Sequence, residues 1–169
     1  RILQMKYSQI RTIDISDGPG VRVGLYTQGC PFHCKGCWNQ DTWDFDGGKL
    51  LDRSAKKAIL DSISKEFVSG LSILGGEPLV KNNLDELKEL VLSIKSKYPE
   101  KTVWVWSGFL FEDLDNDQLE FINMCDVLVD GQFVEELKDL NLEYRGSSNQ
   151  RVIDIKKTII SGNIVELEN

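Results

Sequence analysis

No run of apolar residues in this chain is long enough to cross a bilayer, which needs about 20. No signal-peptide pattern opens it, so the expected location is cytoplasmic. Positive charge is in short supply: 20 Lys and Arg stand against 27 Asp and Glu, a net charge of −7. Such a balance argues against a basic stripe for nucleic acid. Histidine is nearly absent, His33 being the only one. A structural zinc site usually draws on two separated ligand pairs, and no second pair exists here. Internal repeats, low-complexity tracts and linkers are missing too. The expectation is one domain over residues 1–169, a length that can bury a sizeable core.

What is present is an alternation of short apolar runs with amphipathic stretches. Tyr7 to Ile15 reads as an edge strand or hairpin arm, and Asp17-Gly18-Pro19-Gly20 as a turn. Val21 to Thr27 reads as a buried strand. Ser54 to Val68 has helical spacing in Ala55, Ala58, Ile59, Ile63 and Phe67, with Gly70 to end it. Leu71 to Leu74 suits a strand buried on both faces. A second helix is expected over Leu84 to Lys97, with Asn83 as its cap and Glu86 completing a capping box. Thr102 to Trp106 and Val127 to Val129 read as strands, Gln118 to Met124 as a short helix and Phe133 to Leu140 as a weak helical turn. The last strands fall at Val152 to Ile155 and Thr158 to Ile160. This order predicts an α/β fold with a mostly parallel sheet and crossover helices. The units are too few for a closed eight-unit barrel, so an open partial (β/α) barrel is expected.

Three of the four cysteines lie within eight residues, as Cys30-Pro-Phe-His-Cys34-Lys-Gly-Cys37. Such crowding suits a metal site better than disulfides. Three thiolates on a [4Fe–4S] cluster leave one iron without a protein ligand, where most clusters take four. An open metal position can bind a small molecule. Gly29, Pro31 and Gly36 supply the turns such a loop needs. Zinc is the rival, with His33 as a fourth ligand, but His33 is adjacent to Cys34 and converges poorly. His33 reads better as a loop or partner contact. Cys125, in an apolar stretch, reads as a buried structural thiol. Trp43, Trp104 and Trp106 read as core or partner surface.

The cysteine spacing followed by Trp38, together with Gly75-Gly76-Glu77-Pro78 at the end of the next expected strand, resembles the paired signature of the radical S-adenosylmethionine (SAM) superfamily. Asp17-Gly18-Pro19-Gly20-Val21-Arg22 resembles the opening of its glycyl-radical-enzyme activases. Gly36-Cys37-Trp38-Asn39, Asp130-Gly131-Gln132-Phe133 and the run from Arg145 to Arg151 are similar to the branch that acts on an anaerobic ribonucleotide reductase. The likeness covers roughly Tyr7 to Ile160.

The resemblance implies an oxidoreductase that cleaves SAM reductively and places a glycyl radical on the reductase's large subunit. Cys30, Cys34 and Cys37 would hold the [4Fe–4S] cluster. Gly36, Cys37 and Trp38 would meet the SAM adenine, and Gly75, Gly76 and Glu77 its amino-acid part. Ser107 and Asp130, at the same sheet edge, would add SAM contacts, with polar strand-end caps as the alternative. Asp17 would lie near the SAM carboxylate or cap its turn. The run from Arg145 to Arg151 would order a loop over SAM or the partner. The implied partners are the reductase's glycyl-radical loop and an electron donor such as flavodoxin, with no nucleic acid and no membrane. Other readings remain: activation of a different glycyl-radical enzyme, a small-molecule radical SAM enzyme, or a non-enzymatic zinc-binding interaction module. A short open barrel suits a large substrate that closes the cavity itself.

Overall fold

The computed structural model describes residues 4–167. Its strands are β1 (Lys6–Asp14), β2 (Val21–Thr27), β3 (Lys49–Leu50), β4 (Val68–Gly75), β5 (Thr102–Ser107), β6 (Val127–Asp130) and β7 (Arg151–Asp154). They form one sheet in the order β3-β1-β2-β4-β5-β6-β7. Strands β2, β4, β5 and β6 are parallel. Strands β1 and β7 flank them antiparallel, and β3 pairs antiparallel with β1. Parallel pairing is thus confined to the centre, less of the sheet than expected. The sheet is open, with β3 and β7 at its edges, and does not close into a barrel.

Alternation along the strands sorts side chains to two faces. Val23, Leu25, Leu71, Ile73, Val103, Val105 and Leu128 belong to the main core. Helix α1 (Arg53–Ile63), α2 (Lys81–Lys97) and α3 (Asn116–Ile122) cover that face through Ile59, Ile63, Leu87, Val91, Ile94, Phe121 and Ile122. The opposite face carries a smaller cluster of Trp104, Val127, Val129 and Val152, with Trp106 and Tyr144 against it. It also buries Arg22 completely. The Arg22 guanidinium donates to Ser72 Oγ (2.8 Å), Thr102 Oγ1 (3.0 Å), Leu71 O (3.0 Å), Thr102 O (2.8 Å) and Pro19 O (3.4 Å). Its partners are all uncharged, and burial pushes its pKa down to about 10.

Several boundaries differ from expectation. Helix α1 stops at Ile63 rather than running to Val68, because Val68 already pairs with Val21 as the start of β4. The freed carbonyls of Lys65 and Val68 accept from the buried Lys101 ammonium. Phe67, placed in the helical stripe, is exposed. Helix α2 starts at Lys81, with Val80 at the cap position. Asn83 is therefore inside the first turn, where its buried amide donates to Glu77 O (3.3 Å) and Pro78 O (3.2 Å). Glu86 forms no capping box; it pairs with Lys56 (2.9 Å) and accepts from the Met5 backbone N–H. A true capping box joins Asp115 and Gln118 at α3. From 133 to 140 the only helical turn is Glu135–Leu137.

The largest departure is at Thr158 to Ile160, which lies in helix α4 (Ile155–Ser161) and not in a strand. Asp154 caps its start by accepting from Lys157 N, and Gly162, at φ +76°, ends it in the left-handed conformation. With both ends capped, three β-branched residues stay helical. The edge of β7 is covered by residues 165–167 instead, through Asp154 N to Val165 O (2.8 Å) and Leu167 N to Val152 O (2.7 Å).

Candidate functional site

The loops leaving the C-terminal ends of β2, β4, β5 and β6 meet over one end of the sheet, the edge where parallel α/β sheets bind ligands. The first carries the cysteines. Gly29 takes φ +102°, and a β-carbon there would lie 2.3 Å from the Phe45 ring. Its N–H donates to Thr42 O (2.7 Å), that of Cys30 to Trp43 O (3.1 Å), and that of Cys37 to Cys34 O (3.1 Å). The turn Gln40–Thr42 thus backs the cysteine loop.

The Gly-Gly-Glu segment is stitched to that loop. Gly76 N donates to Thr27 O (2.9 Å) and Glu77 N to Gly29 O (2.8 Å). A β-carbon on Gly76 would lie 2.4 Å from Gly29 O, and one on Gly75 2.7 Å from Thr27 N. The close approach these glycines permit is therefore to the cysteine loop's own backbone. Glu77 is buried. One of its oxygens accepts from Leu79 N (2.9 Å) and Ser107 Oγ (2.7 Å), the other from Gly108 N (2.7 Å). It ties the end of β4 to the end of β5. Burial pushes its pKa up to about 7 against the pull of those three donors.

A cavity of about 480 Å³ opens between these loops. Cys30, Cys34, Cys37, Trp38, Gly75, Gly76, Glu77 and Ser107 all line it, so eight of the ten expected site residues converge. Gly36 and Asp130 do not line it. Gly36 turns the loop at φ +75° beside the Glu135 side chain. Asp130 is fully buried, and its carboxylate accepts from Phe111 N (2.8 Å) and from Arg151 Nε (3.0 Å) and Nη2 (2.6 Å). A strand-end cap describes Asp130 better than a ligand contact.

Ser16 and Asp17 form part of the cavity wall from below, because residues 14–20 fold across the sheet face. Ser72 Oγ donates to Asp17 O (2.5 Å), and the Asp17 carboxylate accepts from Tyr26 Oη (2.6 Å). Burial, with Asp14 beside it, pushes Asp17 up to about 6.

The three cysteines are free and half-buried. Burial raises the thiols of Cys30 and Cys34, and the Glu77 charge adds to both. A thiol held up in this way gives up its proton when a cation takes its place, as iron does. Among the described residues no three His, Cys, Asp or Glu side chains converge on one ion-sized point. A single zinc needs its ligands about 2.0–2.3 Å from one centre. A four-iron cluster binds each thiolate to a different iron, and three free thiols from one loop lining one cavity suit it. The His33 ring stacks on Trp43 at 4.4 Å and 4°, outside the thiol set. Cys125 is fully buried elsewhere, its thiol raised by that burial.

Sequence reasoning gives no cavity role to Tyr144, Trp43 or Trp106, yet all three line it. Tyr144 packs edge-on to Trp104 (4.9 Å), and its carbonyl accepts from Trp106 Nε1 (2.6 Å). No regular pattern marks this wall. Tyr144 is held at φ +66° by packing that only the fold reveals.

Fold and site together describe an iron–sulfur α/β protein with an open cavity, and comparison with known proteins narrows this. A family model described as a 4Fe-4S single cluster domain matches residues 16–153. An anaerobic ribonucleoside-triphosphate reductase-activating protein of Enterobacteria phage T4 is 39% identical over 148 residues, covering 88% of this chain and 93% of that protein. Its namesake in Escherichia coli K12 is 37% identical over 150 residues, covering 88% and 97%. That of Vibrio cholerae is 38% identical over 148 residues, covering 86% and 96%. The chain belongs to the 4Fe-4S single cluster domain family, in the group of anaerobic ribonucleoside-triphosphate reductase-activating proteins.

Proposed function

We propose that this protein activates an anaerobic ribonucleoside-triphosphate reductase by generating a glycyl radical on its large subunit. The observation that carries the reading is the convergence of three free thiols from one loop and the Gly-Gly-Glu strand end on a single cavity. Cys30, Cys34 and Cys37 would hold a [4Fe–4S] cluster with one open iron, and SAM would occupy the cavity beside it. That pair would supply the one-electron chemistry that cleaves SAM and, from it, the hydrogen abstraction that leaves a radical on a glycine of the partner.

The chain's own residues position and shield that chemistry. Glu77, Ser107 and the Gly108 N–H hold two strand ends in fixed relation, which sets the cavity's width. Trp38 stands exposed at the mouth, with Phe133 at 6.1 Å and the Lys138 ammonium over its ring at 5.5 Å. There it would cover an adenine. Gly36 would shape the same loop. The open sheet fits the partial (β/α) barrel of radical SAM enzymes as one domain. No helix of the described residues is long and apolar enough to cross a membrane. An electron donor of the flavodoxin type in the cytoplasm completes the reading.

The test is to mix the reconstituted, reduced protein anaerobically with SAM and the reductase and record the electron paramagnetic resonance spectrum. A glycyl-radical signal that requires all components is the expected result. SAM cleavage with no radical on the reductase would place the target elsewhere.

A further inference from the structure

Among the described residues Arg145 is the only Lys, Arg or His whose side chain lines the cavity. The other ionisable groups there are the three thiols, the Tyr144 phenol and the carboxyls of Asp17, Glu77 and Asp139. Arg145 makes no ion pair among the described residues. Its Nη1 donates to Ser148 O (3.2 Å) and Gln150 O (2.6 Å), which leaves Nε and Nη2 without an acceptor among the described residues. Asp139 does not supply one, since its carboxylate turns back to accept from Asn141 N (2.9 Å). Arg151, six residues on, is the contrast: Asp130 and Glu112 occupy its guanidinium.

The loop that carries Arg145 is pinned in place. Gln150 Oε1 accepts from Gly146 N (2.9 Å) and Ser147 N (3.1 Å), and its Nε2 donates to Gly131 O (2.9 Å). Asn149 Nδ2 donates to Gln132 O (2.8 Å), and the Gln132 side-chain oxygen lies 3.8 Å from Cys34 Sγ. A guanidinium with one nitrogen anchored and two free is an ordered fork, and forks of this kind match carboxylates. The anchoring has already restricted its rotamers, so less entropy is lost on binding.

We infer that Arg145 recognises the carboxylate of an amino-acid-bearing ligand in this cavity, which on the reading above is SAM. The inference rests on that reading and adds a residue that selects for the ligand's amino-acid end.

The test is equilibrium binding of SAM and of decarboxylated SAM to the cluster-reconstituted protein, to Arg145→Gln and to Arg145→Lys, with iron content matched. Any contribution of the carboxylate at the open iron is common to all three proteins, so comparing preferences isolates the guanidinium. The preference for SAM over its decarboxylated analogue should fall roughly 10- to 100-fold in Arg145→Gln, the worth of a charged hydrogen bond, with Arg145→Lys in between. An unchanged preference overturns the inference. So does equal weakening of both ligands, which would make Arg145 a loop support only. Loss of the reductase complex at unchanged preference would assign the carboxylate to the partner and also overturn it. A wild-type protein that holds its cluster and binds neither compound would instead overturn the SAM reading itself.

Discussion

At the N-terminal ends of the central strands, Arg22 and Lys101 are buried with their donors taken up by backbone carbonyls and hydroxyls. At the C-terminal ends, three thiols are free and two nitrogens of Arg145 have no acceptor among the described residues. Both regions take polar groups out of water, at a cost unless partners are found. The first region is internally complete and has only stability to supply. The second is complete only when something else enters, which is what a binding site requires.

The comparison breaks most sharply at the cysteines. Changing Cys30, Cys34 or Cys37 to Ala should abolish cluster-dependent SAM cleavage while leaving the stability of the metal-free protein within about 1 kcal/mol, since each thiol is half-buried and weakly bonded. Iron content, 5′-deoxyadenosine yield and urea unfolding check the three parts. At the other end, Arg22→Met should cost about 3 kcal/mol, because the guanidinium's hydrogen bonds to Ser72, Thr102 and Leu71 are lost in a buried setting. Chemical denaturation measures it, and the folded fraction should still take up iron. Equal loss of cluster and stability in both variants would dissolve the distinction.

Glu77→Ala falls between, because Glu77 both lines the cavity and joins two strand ends. It should weaken SAM binding about tenfold while iron content holds, and lower stability by roughly 1–3 kcal/mol through three lost hydrogen bonds. Unchanged SAM affinity would make Glu77 a strand tie alone.

The smallest effect is one of pH. Asp17 is pushed up from 3.8 to about 6 by burial and by Asp14, so the folded state holds its proton more tightly than the unfolded chain. Its contribution to stability is full below about pH 4 and is lost as pH rises to about 6. Glu77, raised to about 7, continues the decline above that. Asp17→Asn should flatten the stability profile of the metal-free protein between pH 4 and 6, followed by thermal unfolding. A profile as steep as the wild type would assign the slope to other groups.

How much of this was legible in the sequence depended on distance along the chain. Strand β2 is legible to the residue because its alternation and its bounding turns are local. So is the cavity's cysteine wall, whose spacing is contained in one loop. The sequence pattern overextends helix α1 because Phe67 continues the helical stripe, and only pairing with β2 forces the strand to begin at Val68. Thr158 to Ile160 reads as a strand because β-branched residues favour strands, while the caps of α4 at Asp154 and Gly162 decide otherwise. At Asp130 the sequence leaves a SAM contact and a strand-end cap both open, because the salt bridge to Arg151 that favours the cap spans 21 residues. Arg145 and Arg151 look alike in sequence; only the fold shows that one is paired and the other is not.

The central claim is that the three-cysteine cavity performs chemistry on SAM. The most direct measurement is anaerobic: reconstitute the protein with iron and sulfide, reduce it, add SAM, and quantify 5′-deoxyadenosine and methionine beside Cys34→Ala. The account predicts both products in equal amounts from the wild type and neither from the variant. A wild-type protein that holds a [4Fe–4S] cluster and leaves SAM intact would contradict it.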